Sequence, residues 1–246
     1  MTASLMKKNN ITEQYDWEKY WKLHHEIRPL KEVYFEKYLK SFPAKGSLIE
    51  LGGFPGHFAA YSKQRFNYDV TILDYVITPE TVRHVEALYN LEEGAIKTIK
   101  ADIFCYENLN SFDIVTSFGF IEHFEDTKLL IKKHIDFLKP GGILLATLPN
   151  FRGLNGFVQK YFDPKNYSMH NIKSMDINIL RGIMEEINLS YYKVSFIGSP
   201  DIWLEPDAPV TPLIRKSLLL LAKILHKCPF KNNRLFAPYI IILGIK

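Results

Sequence analysis

A glycine-rich turn follows the first apolar run of the sequence and offers a place for a polar ligand. The stretch SLIELGGFPGHFAAY, residues 47–61, runs from apolar residues into an acid, Glu50. Three glycines come next, Gly52, Gly53 and Gly56, directly before a helical pattern. The first N–H groups of a helix have no partner inside it, and glycine lets a ligand approach them closely. The turn therefore predicts a bound polar group.

Acids and a histidine follow three further apolar runs. Asp74 ends VTILD, and Asp102 follows AIKTIK. Glu122 and His123 come shortly after FDIVTSF. Ligands of open α/β sheets bind beyond the carboxyl ends of the strands, so one small molecule could touch all of these side chains. Asp74 lies 22 residues beyond Gly52, where an acid can accept hydrogen bonds from the ribose hydroxyls of a nucleoside.

The elements that must position these residues form an alternating pattern. Five short apolar runs are separated by stretches of helical spacing; the runs are SLIEL, DVTILD, AIKTIKAD, FDIVTSF and GGILLATLP. We expect helices over residues 56–65, 79–89 and 127–138. Alternation of this kind predicts a doubly wound α/β fold, with a mostly parallel sheet covered by helices on both faces.

The flanks of this core differ from it in composition. Residues 12–42 read as two amphipathic helices broken at Pro29, and residues 150–175, rich in asparagine, glycine and aromatics, read as loops that cover a site. A helix, a strand, a helix and a closing strand follow, over residues 176–189, 190–199, 211–227 and 235–246. We expect a single domain over residues 1–246, made of a helical cap (1–45), a ligand-binding core (46–150) and a lid with the substrate-side helices and closing strands (151–246).

The composition excludes several classes of function. A hydrophobic fraction of 47% with 24% charged residues is ordinary for a globular enzyme. The net charge of +4 is mild and dispersed, which argues against a nucleic-acid partner. Cys105 and Cys228 are the only cysteines, so we expect neither a disulfide framework nor a cysteine zinc site. No signal peptide and no apolar span of about 20 residues is present, and we predict a cytoplasmic protein without a transmembrane segment.

Five stretches in register resemble the motifs of class I S-adenosylmethionine-dependent methyltransferases. LIELGGFPG resembles their first motif, an acid, one residue, glycine, three residues and glycine. LDY resembles their acidic second-strand end, and KADIF resembles the segment with the aspartate that faces the adenine. FDIVTSFGFIEHFED and LKPGGILLATLPN resemble their fourth and fifth strands. The resemblance covers about residues 47–150 and implies a Rossmann-like seven-stranded sheet with S-adenosylmethionine as cofactor. Phe54 stands where the family commonly has a middle glycine.

The resemblance also implies which residues serve the site. Those expected to bind the cofactor are Glu50, Gly52, Gly53, Gly56, Asp74, Tyr75, Asp102, Ile103, Ser117 and Glu122. His170 matches a histidine that many small-molecule methyltransferases carry before the helix after strand five, and we expect His170 or His123 to act as general base. No HExxH or comparable spacing is present, so we predict no metal.

Several alternatives stay open. A nicotinamide cofactor is less well matched, because the turn reads GGFPG and lacks the third glycine of GxGxxG. SFGF stands where amino methyltransferases of DNA and of protein glutamine carry NPPY or DPPY. We therefore expect a small-molecule acceptor, with O-methylation of a hydroxyl on a sugar or surface-glycan intermediate. The alternatives are N- or C-methylation of a small amine or quinone-like lipid, and a nicotinamide-binding oxidoreductase.

Two helical stretches have amphipathic patterns of their own. Aromatic residues at near-helical spacing in residues 15–21 indicate a helix packed into the core, and we expect the same of the neighbouring His24 and His25. Residues 213–227 place a basic arc beside leucine and isoleucine; the arc holds Arg215, Lys216, Lys223, His226 and Lys227. Packing onto the sheet or in a homodimer is the favoured reading of this helix, and peripheral contact with an anionic membrane is the alternative.

Overall fold

The computed structural model describes residues 9–23, 28–31, 33–42, 45–107 and 111–246. His24 and His25 lie outside the described residues. A seven-stranded sheet runs through the molecule in the order β3-β2-β1-β4-β5-β7-β6. The strands are β1 (Ser47–Leu51), β2 (Asp69–Asp74), β3 (Ile96–Lys100), β4 (Phe112–Phe118), β5 (Leu138–Pro149), β6 (Tyr191–Ile197) and β7 (Tyr239–Ile245). Neighbouring strands pair in parallel except where β7 pairs with β5 and β6. The predicted doubly wound, mostly parallel sheet is confirmed.

Helices cover both faces of this sheet. They are α1 (Gln14–Leu23), α2 (Glu36–Leu39), α3 (His57–Phe66), α4 (Pro79–Leu88), α5 (Thr127–Asp136), α6 (Leu154–Phe162), α7 (Pro164–Ser168), α8 (Ile177–Ile187) and α9 (Pro212–His226). Short 3₁₀ turns lie at Ile121–His123 and Ile172–Met175. Capping side chains fix the starts of two helices. Asp126 accepts a hydrogen bond from the N–H of Leu129 in α5, and Asp176 accepts from the N–H groups of Asn178 and Ile179 in α8.

Alternate residues of the central strands feed two separate cores. Ile49 and Leu51 of β1 pack with α5 and α8, whereas Leu48 packs with α3 and α4 on the other face. Because both faces are covered, the strand reads as a continuous apolar run rather than an alternating one. The connection from β3 returns to β4 on the far side of β1, so the strand order reverses between β1 and β4. A ligand site is expected at that reversal.

Two expectations about the flanks are wrong. Residues 150–175 are not loops, because they form α6, α7 and a 3₁₀ turn. Asp163 accepts from the N–H of Asn166 with Pro164 in the first turn, and Asn171 caps the 3₁₀ turn, so polar side chains that resemble loop residues start short helices here. In the described part of residues 12–42, the second cap helix is only the four-residue α2.

The long helix α9 does not pack a wide face onto the sheet. Leu218, Ala222 and Leu225 belong to a small apolar cluster of their own, with Val158 of α6 and Ile202. Ala222 is the one buried residue of the helix. The sequence pattern suggested burial because leucine and isoleucine surround most of the helix, yet only one narrow side of it finds a partner within the described residues.

Candidate active site

A cavity of about 490 Å³ lies at the carboxyl ends of β1, β2, β4 and β5. This volume is in the range of small-molecule sites. Its floor is formed by strand-end residues, namely Glu50, Gly52, Gly53, Asp74, Tyr75, Gly119 and Glu122. Its roof is formed by residues of the outer segments, namely Trp17, Tyr20, Trp21, His170 and Trp203. We use floor and roof for these two sets.

The glycine turn of the floor has little room for side chains. Gly52 has φ +67°, and a Cβ on it would overlap the ring of Phe120. A Cβ on Gly53 would lie 3.0 Å from the carbonyl oxygen of Glu50. Gly56, with φ +101°, precedes α3 and does not line the cavity. The glycines therefore allow the turn to form, and Gly52 and Gly53 also bring its backbone to the cavity wall.

Burial raises the pKa of two floor acids above its ordinary value. Burial raises the pKa of Glu50 well above its ordinary value, although the N–H of Ala59 donates to the carboxylate, and Oε2 has no partner among the described residues. Burial also raises the pKa of Asp74 to about 6. The Asp74 carboxylate accepts from the N–H of Phe54 at 3.2 Å and of Val76 at 2.9 Å. Both acids would be stabilised in their charged form by a cationic or hydroxyl-bearing ligand.

Two predicted cofactor contacts lie just outside the main cavity. Asp102 and Ile103 line a small adjoining cavity of about 20 Å³, which shares Asp74 and Tyr75 with the main one. The Asp102 carboxylate accepts from the N–H of Phe104 at 2.8 Å. These residues thus border the site at the end of β2, next to the predicted ribose acid.

Ser117 lies apart from the other predicted cofactor contacts. Its side chain is buried and its Oγ lies 2.9 Å from Nε2 of His134, while Nδ1 of His134 donates to the carbonyl oxygen of Leu130. Ser117 does not line the cavity. The alternation of side chains along β4 turns this residue into the core against α5, so its hydrogen bond links that helix to the sheet, and its role as a cofactor contact stays a prediction.

Glu122, His123 and His170 meet at one end of the cavity although 47 positions separate His123 from His170. The two imidazole centroids are 4.7 Å apart. Nδ1 of His123 lies 3.0 Å from the carbonyl oxygen of Met169, and Nδ1 of His170 lies 2.7 Å from that of Asn166. A carbonyl oxygen only accepts, so Nδ1 carries the proton in each ring. Nε2 of each ring therefore keeps its lone pair.

Burial makes all three of these groups neutral at neutral pH. It lowers the pKa of His123 to about 3, with a further lowering from His170, and it lowers the pKa of His170 to about 4. It raises the pKa of Glu122 to about 8. Oε2 of Glu122 has no hydrogen-bond partner in the described structure. The cluster thus presents two proton-accepting nitrogens and one buried carboxyl group with spare bonding capacity.

Comparison with known families shows the family of the chain. A model described as a methyltransferase domain matches residues 22–194. The chain belongs to this methyltransferase family. The predicted family is confirmed, and the match extends beyond the residues 47–150 that carry the motifs.

One curated relative is similar to this methyltransferase. The ubiquinone biosynthesis O-methyltransferase of Xanthomonas axonopodis pv. citri is 30% identical over 128 residues, which are 50% of this chain and 51% of the relative. The chain thus matches about half the length of that protein. Its activity is considered below as a proposal only.

Solved methyltransferase structures share the fold. An S-adenosylmethionine-dependent methyltransferase from Archaeoglobus fulgidus superposes with a TM-score of 0.56 at 18% identity, over 86% of this chain and 91% of that chain. A phosphoethanolamine N-methyltransferase of Haemonchus contortus was solved in complex with phosphomonomethylethanolamine and S-adenosylhomocysteine. It superposes with a TM-score of 0.58 at 18% identity, over 86% of this chain and 51% of that chain. A possible histamine N-methyltransferase from Thermotoga maritima superposes with a TM-score of 0.56 at 16% identity, over 94% of this chain and 96% of that chain.

The histidine cluster of this methyltransferase has two chemical capacities. As neutral imidazoles, His123 and His170 can accept a proton from an acceptor molecule. One ligand atom from each of Glu122, His123 and His170 also lies within 4.8 Å of the others, and two imidazoles with a carboxylate are donors that a divalent transition metal accepts. The sequence singled out all three residues, but it did not show that His170 lies beside Glu122 and His123, because only the fold brings them together.

Most of the roof was missed by sequence reasoning. Trp17 and Trp21 were expected chiefly to pack, yet they line the cavity, with Trp17 edge-on to His123 at 4.7 Å and Trp21 edge-on to Phe54 at 5.4 Å between centroids. Trp203 was not predicted at all. The spacing of residues 17, 20 and 21 gives one helix face, which was a usable signal. A single tryptophan in an irregular segment gives none.

Proposed function

We propose that this methyltransferase transfers the methyl group of S-adenosylmethionine to a hydroxyl group of a small molecule. S-adenosylmethionine is the cofactor: the chain belongs to the methyltransferase family, and structures of the similar Haemonchus contortus enzyme hold S-adenosylhomocysteine or S-adenosylmethionine. The observation that carries the choice of a hydroxyl is the pair of neutral imidazoles, His123 and His170, at the end of the cavity. A hydroxyl must lose its proton as it gains a methyl group, and a neutral imidazole can receive it.

The residues of the floor fit this cofactor. S-adenosylmethionine carries positive charge on its sulfonium and ammonium groups, and Glu50 and Glu122 each hold a buried carboxyl oxygen without a partner among the described residues. A nearby cation favours the charged form of a carboxyl group and lowers its pKa. Gly52 and Gly53 would hold the cofactor through their backbone, Asp74 through its carboxylate, and Asp102 and Ile103 at the adenine end.

The chain itself contributes position, water exclusion and a proton acceptor. When bound, the cofactor supplies a methyl group on sulfur that is already strongly electrophilic. The roof helix α1 covers the cavity with Trp17 and Trp21, which limits the access of water. Holding an acceptor in line with the reacting bond can supply about 7 to 11 kcal/mol of the barrier. Nε2 of His170 or His123 then takes the proton of the acceptor hydroxyl.

The class of acceptor rests on the lining of the cavity. A hydroxyl on a sugar or surface-glycan intermediate is the acceptor proposed from the sequence. The second candidate acceptor for O-methylation is the hydroxyl of an aromatic or quinone-like molecule. Two observations favour it: the name of the Xanthomonas relative, and the stacked rings of Trp203 and Tyr239 in the cavity lining, whose centroids are 5.6 Å apart. Product formation across sugars and phenols separates these two.

N-methylation of an amine is the second candidate reaction. Carboxyl residues outnumber lysines around the cavity; the acids beyond the floor are Asp16, Asp163, Glu205 and Asp207, and the lysines are Lys19 and Lys165. Such a lining attracts an ammonium group as well as a sulfonium. Amines therefore belong in the same acceptor panel, and an exclusive reaction with amines would replace the hydroxyl proposal.

The test combines binding and turnover. Calorimetry with S-adenosylmethionine, S-adenosylhomocysteine and NAD should show binding of the first two alone. With an acceptor in hand, the double variant His123→Ala/His170→Ala should lose about 100-fold or more in kcat, the scale of a missing general base. The exposed His84 of α4 gives the matched control, His84→Ala, which should keep full turnover. Undiminished turnover of the double variant would refute the base assignment.

A further inference from the structure

Helix α9 leaves an apolar stripe on the surface. Leu213, Leu220 and Ile224 are 75%, 60% and 55% exposed. At about 100° per residue these three side chains share one side of the helix, and the less exposed Ile214 and Leu221 lie between that side and the buried one. Scattered exposed leucines are normal on a protein, but a contiguous apolar stripe marks an interaction surface.

The stripe continues onto neighbouring segments. Val158 and Phe162 of α6 pack against α9, and Phe157 and Tyr161, each one residue earlier, are 59% and 62% exposed beside that contact. Leu235 follows α9 and is also exposed, and its carbonyl oxygen accepts from the N–H at the start of α6 at 2.7 Å. We use the term α9 surface for the exposed side chains of α9 together with Phe157, Tyr161 and Leu235.

A basic stripe adjoins the apolar one. Lys216, Lys223 and Lys227 are exposed, and the helical repeat places them together next to Leu220. Residues 208–246 contain seven lysines and arginines and no aspartate or glutamate. All 27 acids of the chain therefore fall within residues 1–207, together with only 24 of the 31 basic residues. The expectation of a dispersed charge is therefore wrong for this end of the chain, because the net positive charge is concentrated on the segment that carries the apolar stripe.

We propose that the α9 surface docks the enzyme on an anionic lipid bilayer. An amphipathic helix of this type lies in the plane of the interface, with its apolar side chains at the boundary of headgroups and acyl chains. Leu213, Leu220 and Ile224 would enter that boundary, and the three lysines would contact anionic headgroups. In the described part of the chain no helix is both long and apolar enough to cross the bilayer.

A second copy of the chain fits this surface less well. A two-fold dimer applies the same patch to itself, so the lysine stripe of one copy would face or flank that of the other. Like charges at close range oppose such an interface, whereas anionic headgroups neutralise them. A nucleic acid would satisfy the lysines but would leave the leucine stripe in water.

The start of helix α9 lies beside the candidate active site. Arg215 at the start of α9 donates through Nη2 to the carbonyl oxygen of Glu205 at 2.9 Å, and Glu205 lines the cavity. A docked enzyme would therefore hold its cavity close to the bilayer, where an acceptor with a lipid tail resides. Only this consequence for the acceptor rests on the proposed function, because the docking itself needs neither cofactor nor acceptor.

Vesicle co-sedimentation tests the proposal, with the full chain and no cofactor. We expect sedimentation with vesicles in which about a third of the lipid is phosphatidylserine, weaker sedimentation with phosphatidylcholine alone, and weakening by high salt. The variants Lys216→Glu/Lys223→Glu/Lys227→Glu and Leu220→Asp/Ile224→Asp should each lose about tenfold or more in affinity for the anionic vesicles. The matched control Lys97→Glu/Lys132→Glu/Lys193→Glu reverses three exposed lysines elsewhere and should bind as the original chain does.

Thermal unfolding of each variant verifies that it is folded, since all substituted side chains are exposed. The proposal is overturned by absence of sedimentation, by equal losses in the α9 and control variants, or by equal binding to both kinds of vesicle. A concentration-dependent dimer that the α9 substitutions dissociate, with no vesicle binding, would also overturn it and assign the surface to a second copy. None of these outcomes depends on methyl transfer.

Discussion

The floor and the roof of the cavity hold their functional residues by different means. The floor comes from strand ends and the turns that follow them between residues 50 and 122, and the parallel pairing of β1 with β2 and β4 brings these ends to one edge of the sheet. The roof comes from α1, His170 and Trp203, which are far apart in the chain and meet only through packing. The floor is therefore suited to a cofactor shared by a whole family, and the roof to an acceptor particular to this chain.

The largest expected effect comes from closing the floor. In Gly52→Ala the Cβ would overlap the ring of Phe120 at a φ of +67°, so we expect a fall in stability beyond about 1 to 2 kcal/mol and loss of measurable cofactor binding. Gly94→Ala is the control, because Gly94 also has positive φ, +80°, but a Cβ at that position would meet no other atom within 4 Å. Thermal unfolding and calorimetric titration with the cofactor, on both variants, separate backbone strain from steric overlap. Equal losses of stability and of cofactor affinity in the two variants would contradict the tight turn described above.

The next effect separates floor from roof in kinetic terms. Asp74→Asn removes the charge that would accept hydrogen bonds from the ribose, and hydrogen bonds to charged groups contribute about 1.5 to 3 kcal/mol. We expect cofactor affinity to fall about 10- to 100-fold with little change in kcat at saturation. His170→Ala should do the opposite, lowering kcat and leaving cofactor affinity within about twofold. A fall of both quantities in both variants would show that the two regions do not act separately.

A smaller effect concerns stability and pH at the point where floor and roof meet. The pKa of Glu122 is raised from 4.5 to about 8, so the folded state binds this proton more tightly than the unfolded state does. Its contribution to stability is full below pH about 4.5 and is lost as the pH rises through about 8. The free energy of unfolding of the original protein should therefore fall by on the order of a few kcal/mol between these pH values, and Glu122→Gln should not show this fall. Denaturant unfolding at pH 5, 7 and 9 measures it, and parallel pH profiles of both proteins would contradict the raised pKa.

The smallest expected effect is that of chelation. If His123 and His170 accept the proton as neutral bases, dialysis against a chelator leaves turnover unchanged. Loss of turnover that a divalent cation restores would show that Glu122, His123 and His170 bind a metal instead. Elemental analysis of the purified protein provides an independent readout.

The sequence predicted the floor far better than the roof. Residues such as Glu50, Gly52 and Asp74 directly follow runs that are continuously apolar because both sheet faces are covered, so their strands and their site could be read together. Trp203 could not be predicted, because no local pattern relates it to His170. The sequence also does not reveal that the hydroxyl group of Ser117 pairs with His134.

Helix α9 shows the same limit for surfaces. Its leucines have the pattern of a helix buried on most sides, and a helix between two strands normally packs on the sheet. The structure instead packs Leu218, Ala222 and Leu225 against α6 and leaves the rest exposed. Periodicity predicts how wide an apolar face is, but the partner of that face depends on the whole fold.

One detail of the histidine cluster bears on how this enzyme can diverge. The oxygen atoms that orient both imidazoles belong to the main chain at Asn166 and Met169, within and just after the single turn of α7. Because main-chain oxygens orient the rings, neighbouring side chains could be substituted to suit a different acceptor molecule without moving the proton-accepting nitrogen atoms. A small shift of that one turn, by contrast, would reorient the two rings together.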